Sequence, residues 1–256
     1  MKIFLAGSGN VATQLGQAFL EAELEITGVW SRTAKHANAL AKKLSTKSFR
    51  SLKRIPDETQ FVIIAVSDDA VEEVSDLIAV KFIVAHTSGT APMSLLQKHS
   101  ARGVFYPLQT FTKGKRIDLS NVPICIEATE KRTELNLFKL AESISGFIEI
   151  INSEQRERLH LAAVFASNFS NHFYAIAESL LAEKKISFEL LKPLIAETAA
   201  KIEKLSPHDA QTGPAVRNDE ETMNRHFKLL KKHPDLKKLY THISQRIIET
   251  HHGKKL

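Results

Sequence analysis

Cysteine occurs once in these 256 residues, as Cys125, so the chain can form no internal disulfide and no cysteine-based metal cluster. That thiol lies in the apolar run VPICIEA, where a small buried hydrophobe is expected and a nucleophile is not. No apolar stretch approaches the roughly 20 residues of a membrane helix. The N-terminal one, Ile3 to Ala6, runs straight into a glycine turn where a signal peptide would have a cleavage site. A cytoplasmic protein with no membrane segment is expected. Nor is there a long block of one charge: 35 basic and 29 acidic residues leave a net +6, but the signs are mixed through most of the chain. Only Lys228 to Lys238 is locally basic. It has no interleaved aromatics and no nucleic-acid motif, so it reads as a solvated helix face and nucleic acid is not an expected partner. No metal site is expected either.

Glycine and histidine are unevenly spread. Eight of the ten glycines fall at or before Gly146 and eight of the eleven histidines after it, which suggests two domains, 1–152 and 153–256. In the first, the short apolar runs KIFLA, EITGVW, FVIIAV and FIVAHT alternate with helical patterns such as VATQLGQAFLEA and AVEEVSDLI. This is the rhythm of an α/β doubly wound parallel sheet with crossover helices, and unbroken apolar strands suit a sheet covered on both faces. VFYPL, VPICIEA and FIEII supply further strands, and LNLFKLAESI a helix. The second half contains no convincing strand and reads as all-helical. Asn152 with Gln155 predicts an N-terminal capping box, followed by a helix running to about Lys185. Its middle is apolar on more than one face, so it should be wrapped by other helices or buried against a second subunit.

The strand KIFLA leads directly into Gly7-Ser8-Gly9-Asn10-Val11-Ala12, the GxGxxA form of the dinucleotide fingerprint. Gly7 allows the tight turn, Gly9 lets backbone N–H groups approach a diphosphate, and Ala12 allows helix and strand to pack closely. The diphosphate then meets the positive end of the helix dipole. NAD-selective sites place a carboxylate at the end of the second strand for the ribose 2′-hydroxyl. Here that place holds Ser31-Arg32-Thr33, and a guanidinium with two hydroxyls suits a 2′-phosphate, so NADP is the expected cofactor. At the end of the FVIIAV strand, Val66 and Ser67 should lie along the cofactor ribose, and Asp68 should cap the next helix. The strand after it ends in His86-Thr87-Ser88-Gly89. Ser88 is placed to meet nicotinamide or substrate, whereas His86 fits a bonded structural ring as well as a catalytic one.

GSGNVA, SRT, AVSDD, HTSG, YPLQTF, LHLAAVFASNF and QTGPAVRND, with the later His226 and Tyr240, together resemble a family of oxidoreductases. Its members join a Rossmann-like domain to a helical domain of unknown function numbered 2520. The resemblance implies an architecture like that of pyrroline-5-carboxylate reductases, ketopantoate reductases, β-hydroxyacid dehydrogenases and F420-dependent NADP reductases. It also implies a C-terminal domain of the 6-phosphogluconate dehydrogenase type, NADP-linked reduction, and a homodimer formed through the helices. β-Hydroxyacid dehydrogenases and ketopantoate reductases carry a proton-donating Lys four residues before an Asn on the long helix. Here Val164 stands at that distance from Asn168. The donor must then be another group, or the acceptor a pre-protonated imine that needs no strong acid.

His160 lies on the same helix, and eight residues of α-helix would set it about 80° around from Asn168. A proton donor and a structural ring both fit His160. Asn168 reads as an anchor for substrate or nicotinamide, and His172, one turn on, as a structural polar residue. Arg217, between Gly213-Pro214 and a helix capped by Asn218 or Asp219, could hold a substrate carboxylate or pair with an acidic neighbour. Thr212 and Gln109 complete the expected substrate contacts, in a cleft between the two halves. The chain is thus expected to reduce a C=O or C=N bond of a small carboxylate-bearing metabolite. The alternative from another class is a non-catalytic NADP-binding sensor or scaffold.

Overall fold

A computed structural model describes residues 1–253. Its first part runs β1 (Lys2–Ala6), α1 (Asn10–Glu21), β2 (Glu25–Trp30), α2 (Ala34–Lys43), β3 (Ser48–Phe49), β4 (Phe61–Ile64), α3 (Val71–Asp76), β5 (Ile83–His86), β6 (Arg102–Pro107), β7 (Ile124–Ala128), α4 (Lys131–Glu142) and β8 (Ile148–Ile150). The eight strands form one sheet in the order β3-β2-β1-β4-β5-β6-β7-β8. Every pairing is parallel except β6 with β7. That exception follows from the connection. Residues 108–123 carry no apolar helical period, and without a crossover helix the chain returns antiparallel. The two-residue edge strand β3 carries no period long enough to be read in sequence.

Side-chain alternation explains why both faces are dry. Ile3 and Leu5 of β1 point into one apolar layer with Leu15 and Phe19 of α1, Leu40 of α2 and Leu137 of α4. Phe4 and Ala6 point into the other with Val71 and Val74 of α3, Val84 and Leu96. Ile3, Phe4, Leu5 and Ala6 are fully buried, each large side chain contributing on the order of 2 kcal/mol. This is the doubly wound arrangement. The crossovers leave β1 in opposite directions, so the carboxyl ends of β1 and β4 flank the crevice where such folds take ligands.

The helical part begins at α5 (Ser153–Ala163), whose Asn152 and Gln155 form the expected reciprocal capping box. A π-helical turn, Val164–Phe169, follows, and then α6 (Ser170–Ala182), α7 (Lys192–Lys201), the single turn α8 (Pro207–Ala210), α9 (Glu220–Leu229) and α10 (Pro234–His252). The chain divides into two compact units, Met1–Phe173 and Tyr174–Leu256. Composition changes near residue 152, but residues 153–173 pack with the first unit because Arg156 and His160 reach back to β7 and β6. Within the second unit His226 Nδ1 bonds the Tyr240 hydroxyl at 2.8 Å, and His233 Nε2 faces Glu183 at 2.7 Å. No helix among the described residues is long and apolar enough to cross a membrane.

Candidate active site

The glycine turn closes the end of β1. Gly7 has φ +142°, and a Cβ there would stand 2.1 Å from the Ala65 carbonyl oxygen at the end of β4. Only glycine fits between the two strand ends. The Gly7 N–H donates to Trp30 O at 2.8 Å, tying the turn to β2 as well. Gly9 differs. Its φ is −76° and a Cβ would meet nothing within 4 Å, so no protein atom requires glycine there. The open space above it is what a diphosphate would occupy, at the N-terminus of α1.

A cavity of about 520 Å³ opens at this point, lined by Gly7, Ser8, Gly9, Asn10, Val11, Ser31, Arg32, Val66, Ser67, Thr87, Gln109 and Phe111, with Ala65. Nine of the ten expected cofactor residues line it, and Thr33 adjoins as the N-cap of α2. The Ser8 and Ser31 hydroxyls bond at 2.8 Å, linking the glycine turn to the end of β2. Arg32 is exposed. The Asp69 carboxyl lies below its usual range because the Ser67 hydroxyl bonds it, with a smaller contribution from the Arg32 charge. Gln109, expected to contact substrate, also lines this cavity. The lining fits a phosphorylated dinucleotide: amide donors at one end, a guanidinium and hydroxyls at the other, and no carboxylate at the end of β2.

A second cavity, of about 710 Å³, shares Ser8, Gly9 and Asn10 but opens toward His36, Lys43, Lys113 and Lys115. It lacks the ends of β1, β2 and β4 that line the smaller cavity, so the smaller one is the candidate for the cofactor. The segment 111–117 lies along α1, held by the side chains of Asn10 and Gln14. Asn10 Nδ2 donates to Phe111 O at 2.8 Å, Gln14 Nε2 donates to Lys115 O at 2.6 Å, and Ile117 N–H donates to Gln14 Oε1 at 3.2 Å. The Asn10 side chain is thereby engaged, which leaves its backbone N–H as the group it could offer a cofactor.

The strand ends beyond the crevice correct several expectations. Asp68 does not cap a helix: it opens the 3-10 turn Asp68–Ala70, preceded by Ser67, and its carboxylate accepts from the Thr90 hydroxyl. His86 is fully buried, and burial lowers its pKa to about 4, helped by the Arg156 charge. It is a neutral structural ring whose Nδ1 accepts from the Ser88 N–H at 3.2 Å. The Ser88 hydroxyl oxygen accepts from Ala91 N–H at 2.8 Å and Thr90 N–H at 3.1 Å, which leaves its proton as the one group to offer a ligand. Burial raises the Cys125 thiol to about 11, so it is protonated and inert.

His160 is half-buried and its Nδ1 lies 3.2 Å from the Tyr106 hydroxyl. Its helix is fixed by Arg156, one turn earlier, whose side chain is 2% exposed. Arg156 Nη1 pairs with Glu127 of β7, and Nη2 donates to Ala91 O at 2.7 Å and to Ser153 Oγ at 3.3 Å. The π turn changes the geometry between His160 and Asn168. Taking up one extra residue reduces the 80° of a regular helix to about 20°, so the two residues align along one face. Asn168 and His172 are exposed. In the second unit, Arg217 stands 65% exposed with Asp219 at 3.9 Å, and Asp219, not Asn218, caps α9 by accepting from Thr222 N–H. Thr212 is exposed there too, its carbonyl accepting from Gln211 Nε2.

Sequence reasoning missed Tyr106, Glu127, Arg156 and Gln14. YPLQTF gave the Tyr106 position without a role, and Arg156 lies in SEQRERL among other charged residues with no partner marked in the sequence. Among the described residues no group of three or more His, Cys, Asp or Glu side chains is arranged to hold a metal ion.

Comparison with known proteins adds to this geometry. Residues 1–87 match an oxidoreductase family with an NAD-binding Rossmann fold, and residues 122–247 match a domain of unknown function, DUF2520. A crystal structure from Bacteroides fragilis, of a protein assigned as an NADP oxidoreductase, is 36% identical over 97% of this chain and 98% of its own, with a TM-score of 0.88. The chain belongs to the DUF2520 family of NADP-linked oxidoreductases. Two more distant structures share the fold at 14% identity. One is an imine reductase from Myxococcus stipitatus in complex with NADP+, with a TM-score of 0.68 over 99% of this chain and 96% of that one. The other is a 1-pyrroline-5-carboxylate reductase from Streptococcus pyogenes, with a TM-score of 0.69 over 98% of each chain. No curated protein matches the chain.

Proposed function

We propose that this oxidoreductase reduces a C=O or C=N bond in a small metabolite carrying a carboxylate. The observation that carries the reading is His160, bonded to Tyr106 at 3.2 Å and packed against Gly89 in the loop after β5. An acid at the carboxyl edge of the sheet is what reduction of a polar double bond requires. Bound NADPH supplies a hydride to the acceptor carbon. The glycine turn and Arg32 hold the two phosphate groups, and Ser88 donates its remaining proton to the acceptor. Asn168, brought onto the His160 face by the π turn, orients the acceptor. Gln109 is the candidate in the first unit for the rest of the substrate; Arg217 and Thr212 belong to the second unit, where an exposed Arg217 suits a carboxylate. Val164, where a Lys would protonate an alkoxide, leaves His160 as the donor. An imine that arrives protonated would not depend on it.

Leu161, Phe165, Phe169 and Phe173 recur every four residues and stand 50%, 63%, 46% and 42% exposed. An apolar stripe of that size favours pairing of two copies through the helices as a homodimer, in the cytoplasm, as expected from sequence. The test of function is NADPH oxidation across a panel of 2-oxo acids and carboxylated cyclic imines, with wild type and His160→Ala. Turnover of one class supports the reading. A large loss in His160→Ala points to a ketone, and a mild loss to an imine. Silence across the panel with tight NADPH binding favours a sensor, the reading that Val164 in place of a Lys supports.

A further inference from the structure

Tyr106 and His160 are 54 residues apart in the chain, yet the phenol oxygen lies 3.2 Å from Nδ1 with ring centroids 6.2 Å apart. Gly89 shares the space with both. A Cβ built on it would stand 2.5 Å from His160 Nδ1 and 2.9 Å from Tyr106 Cζ, closer than real side chains approach. Three separate segments therefore meet here: β6, α5 and the loop after β5. Arg156 locks the last two together through Ala91 O and anchors α5 to β7 through Glu127. The stem of Tyr106 is buried with Val104 and Cys125, against Leu159.

We propose that Tyr106 is the positioning residue of the His160 proton donor, holding Nδ1 so that Nε2 is the nitrogen that gives up a proton, and that residue 89 is glycine because the imidazole fills the space of a side chain. This rests on the reading of His160 as the donor. In the charged ring, Nδ1–H donates to the phenol oxygen and Nε2–H carries the transferable proton. As the acceptor carbon takes up a hydride, the Nε2 proton moves to the acceptor oxygen or nitrogen and the ring becomes neutral. Nδ1–H stays on the phenol, and Nε2 regains its proton from water. A hydroxyl suits this position because its oxygen accepts from Nδ1–H, so the ring keeps its direction while Nε2 loses and regains its proton. Burial raises the Tyr106 pKa, keeping the phenol neutral. A carboxylate in its place would also orient the ring, but its charge would hold the imidazolium against releasing the proton.

The test begins with the protein free of cofactor. Long-range 15N–1H correlation spectra of the histidine rings, with the His160 signals assigned by their loss in His160→Gln, report which nitrogen carries hydrogen. In the neutral ring of the wild type, Nδ1–H is engaged with the phenol and one tautomer dominates. In Tyr106→Phe the His160 nitrogens are expected to shift to a mixture of tautomers. Gly89→Ala, which pushes the ring aside without removing the phenol, should shift them as well and keeps the test alive if Tyr106→Phe folds poorly. Unchanged His160 nitrogen shifts in both variants would overturn the proposal. With a substrate in hand, Tyr106→Phe should lower kcat on the order of ten- to a hundredfold with little change in KM, and Tyr106→Phe/His160→Gln should be no slower than His160→Gln alone. Full kcat in His160→Gln would remove the donor reading itself. Strictly additive losses in the double variant would remove only the role of Tyr106.

Discussion

Gly9→Ala separates a glycine needed by the fold from one needed by the ligand. At φ −76° alanine is unstrained, and its methyl would meet no protein atom within 4 Å. Replacing glycine where alanine fits stabilises by about 0.4–1 kcal/mol through the unfolded chain. Residue 9 is also the N-cap of α1, where alanine is less favourable than glycine by a similar amount. The two effects offset, so the melting temperature should move by no more than about 2–4 °C. NADPH binding should respond far more strongly, because the methyl stands where backbone amides would approach the diphosphate. Losing one charge-assisted bond, roughly 1.5–3 kcal/mol, weakens binding about ten- to a hundredfold. Calorimetric titration of NADPH into wild type and variant measures this, with thermal unfolding of the cofactor-free proteins as control. An unchanged Kd would refute the placing of the diphosphate, and so would a variant that fails to fold. Gly7→Ala makes the contrast: its Cβ would fall 2.1 Å from Ala65 O, so that variant should lose stability before any ligand is added.

Two further predictions concern groups buried beneath the site. Arg156→Met leaves Glu127, 13% exposed, without its cation, and should cost about 3–5 kcal/mol in urea unfolding; a loss below 1 kcal/mol would show that the pair does not anchor α5. For His86, the folded pKa of about 4 lies below the ordinary 6.5, so between those values the unfolded chain binds more protons. Its contribution is fully present above pH 6.5 and is lost as pH falls toward 4, by about 3 kcal/mol. His99 is shifted in the same direction by burial. His86→Asn should flatten that slope, and a slope equal to that of wild type would contradict the assignment.

What could be read from sequence was what a short stretch decides for itself. Gly7 and Gly9 follow an apolar strand and open a helix, and the Asn152–Gln155 box closes within one helical turn, so their meaning lies within a few neighbours. The place of Ser31-Arg32-Thr33, at the end of β2, was legible for the same reason. What stayed hidden depends on partners far along the chain. Gln14 and Lys115 meet across 101 residues, Tyr106 and His160 across 54, and Glu127 and Arg156 across 29. An Arg among acidic neighbours reads as surface until the strand it docks on is placed. The π turn has no residue signature of its own, and so the angle between His160 and Asn168 followed the regular helix until the structure corrected it.

The glycine turn and Arg32 together are expected to select a phosphorylated dinucleotide. Titrating NADPH and NADH into wild type and Arg32→Ala tests it most directly. Wild type should bind NADPH more tightly than NADH, and Arg32→Ala should weaken NADPH roughly ten- to a hundredfold while leaving NADH nearly unchanged. Equal affinities in wild type, or equal losses for both dinucleotides in the variant, would contradict the account.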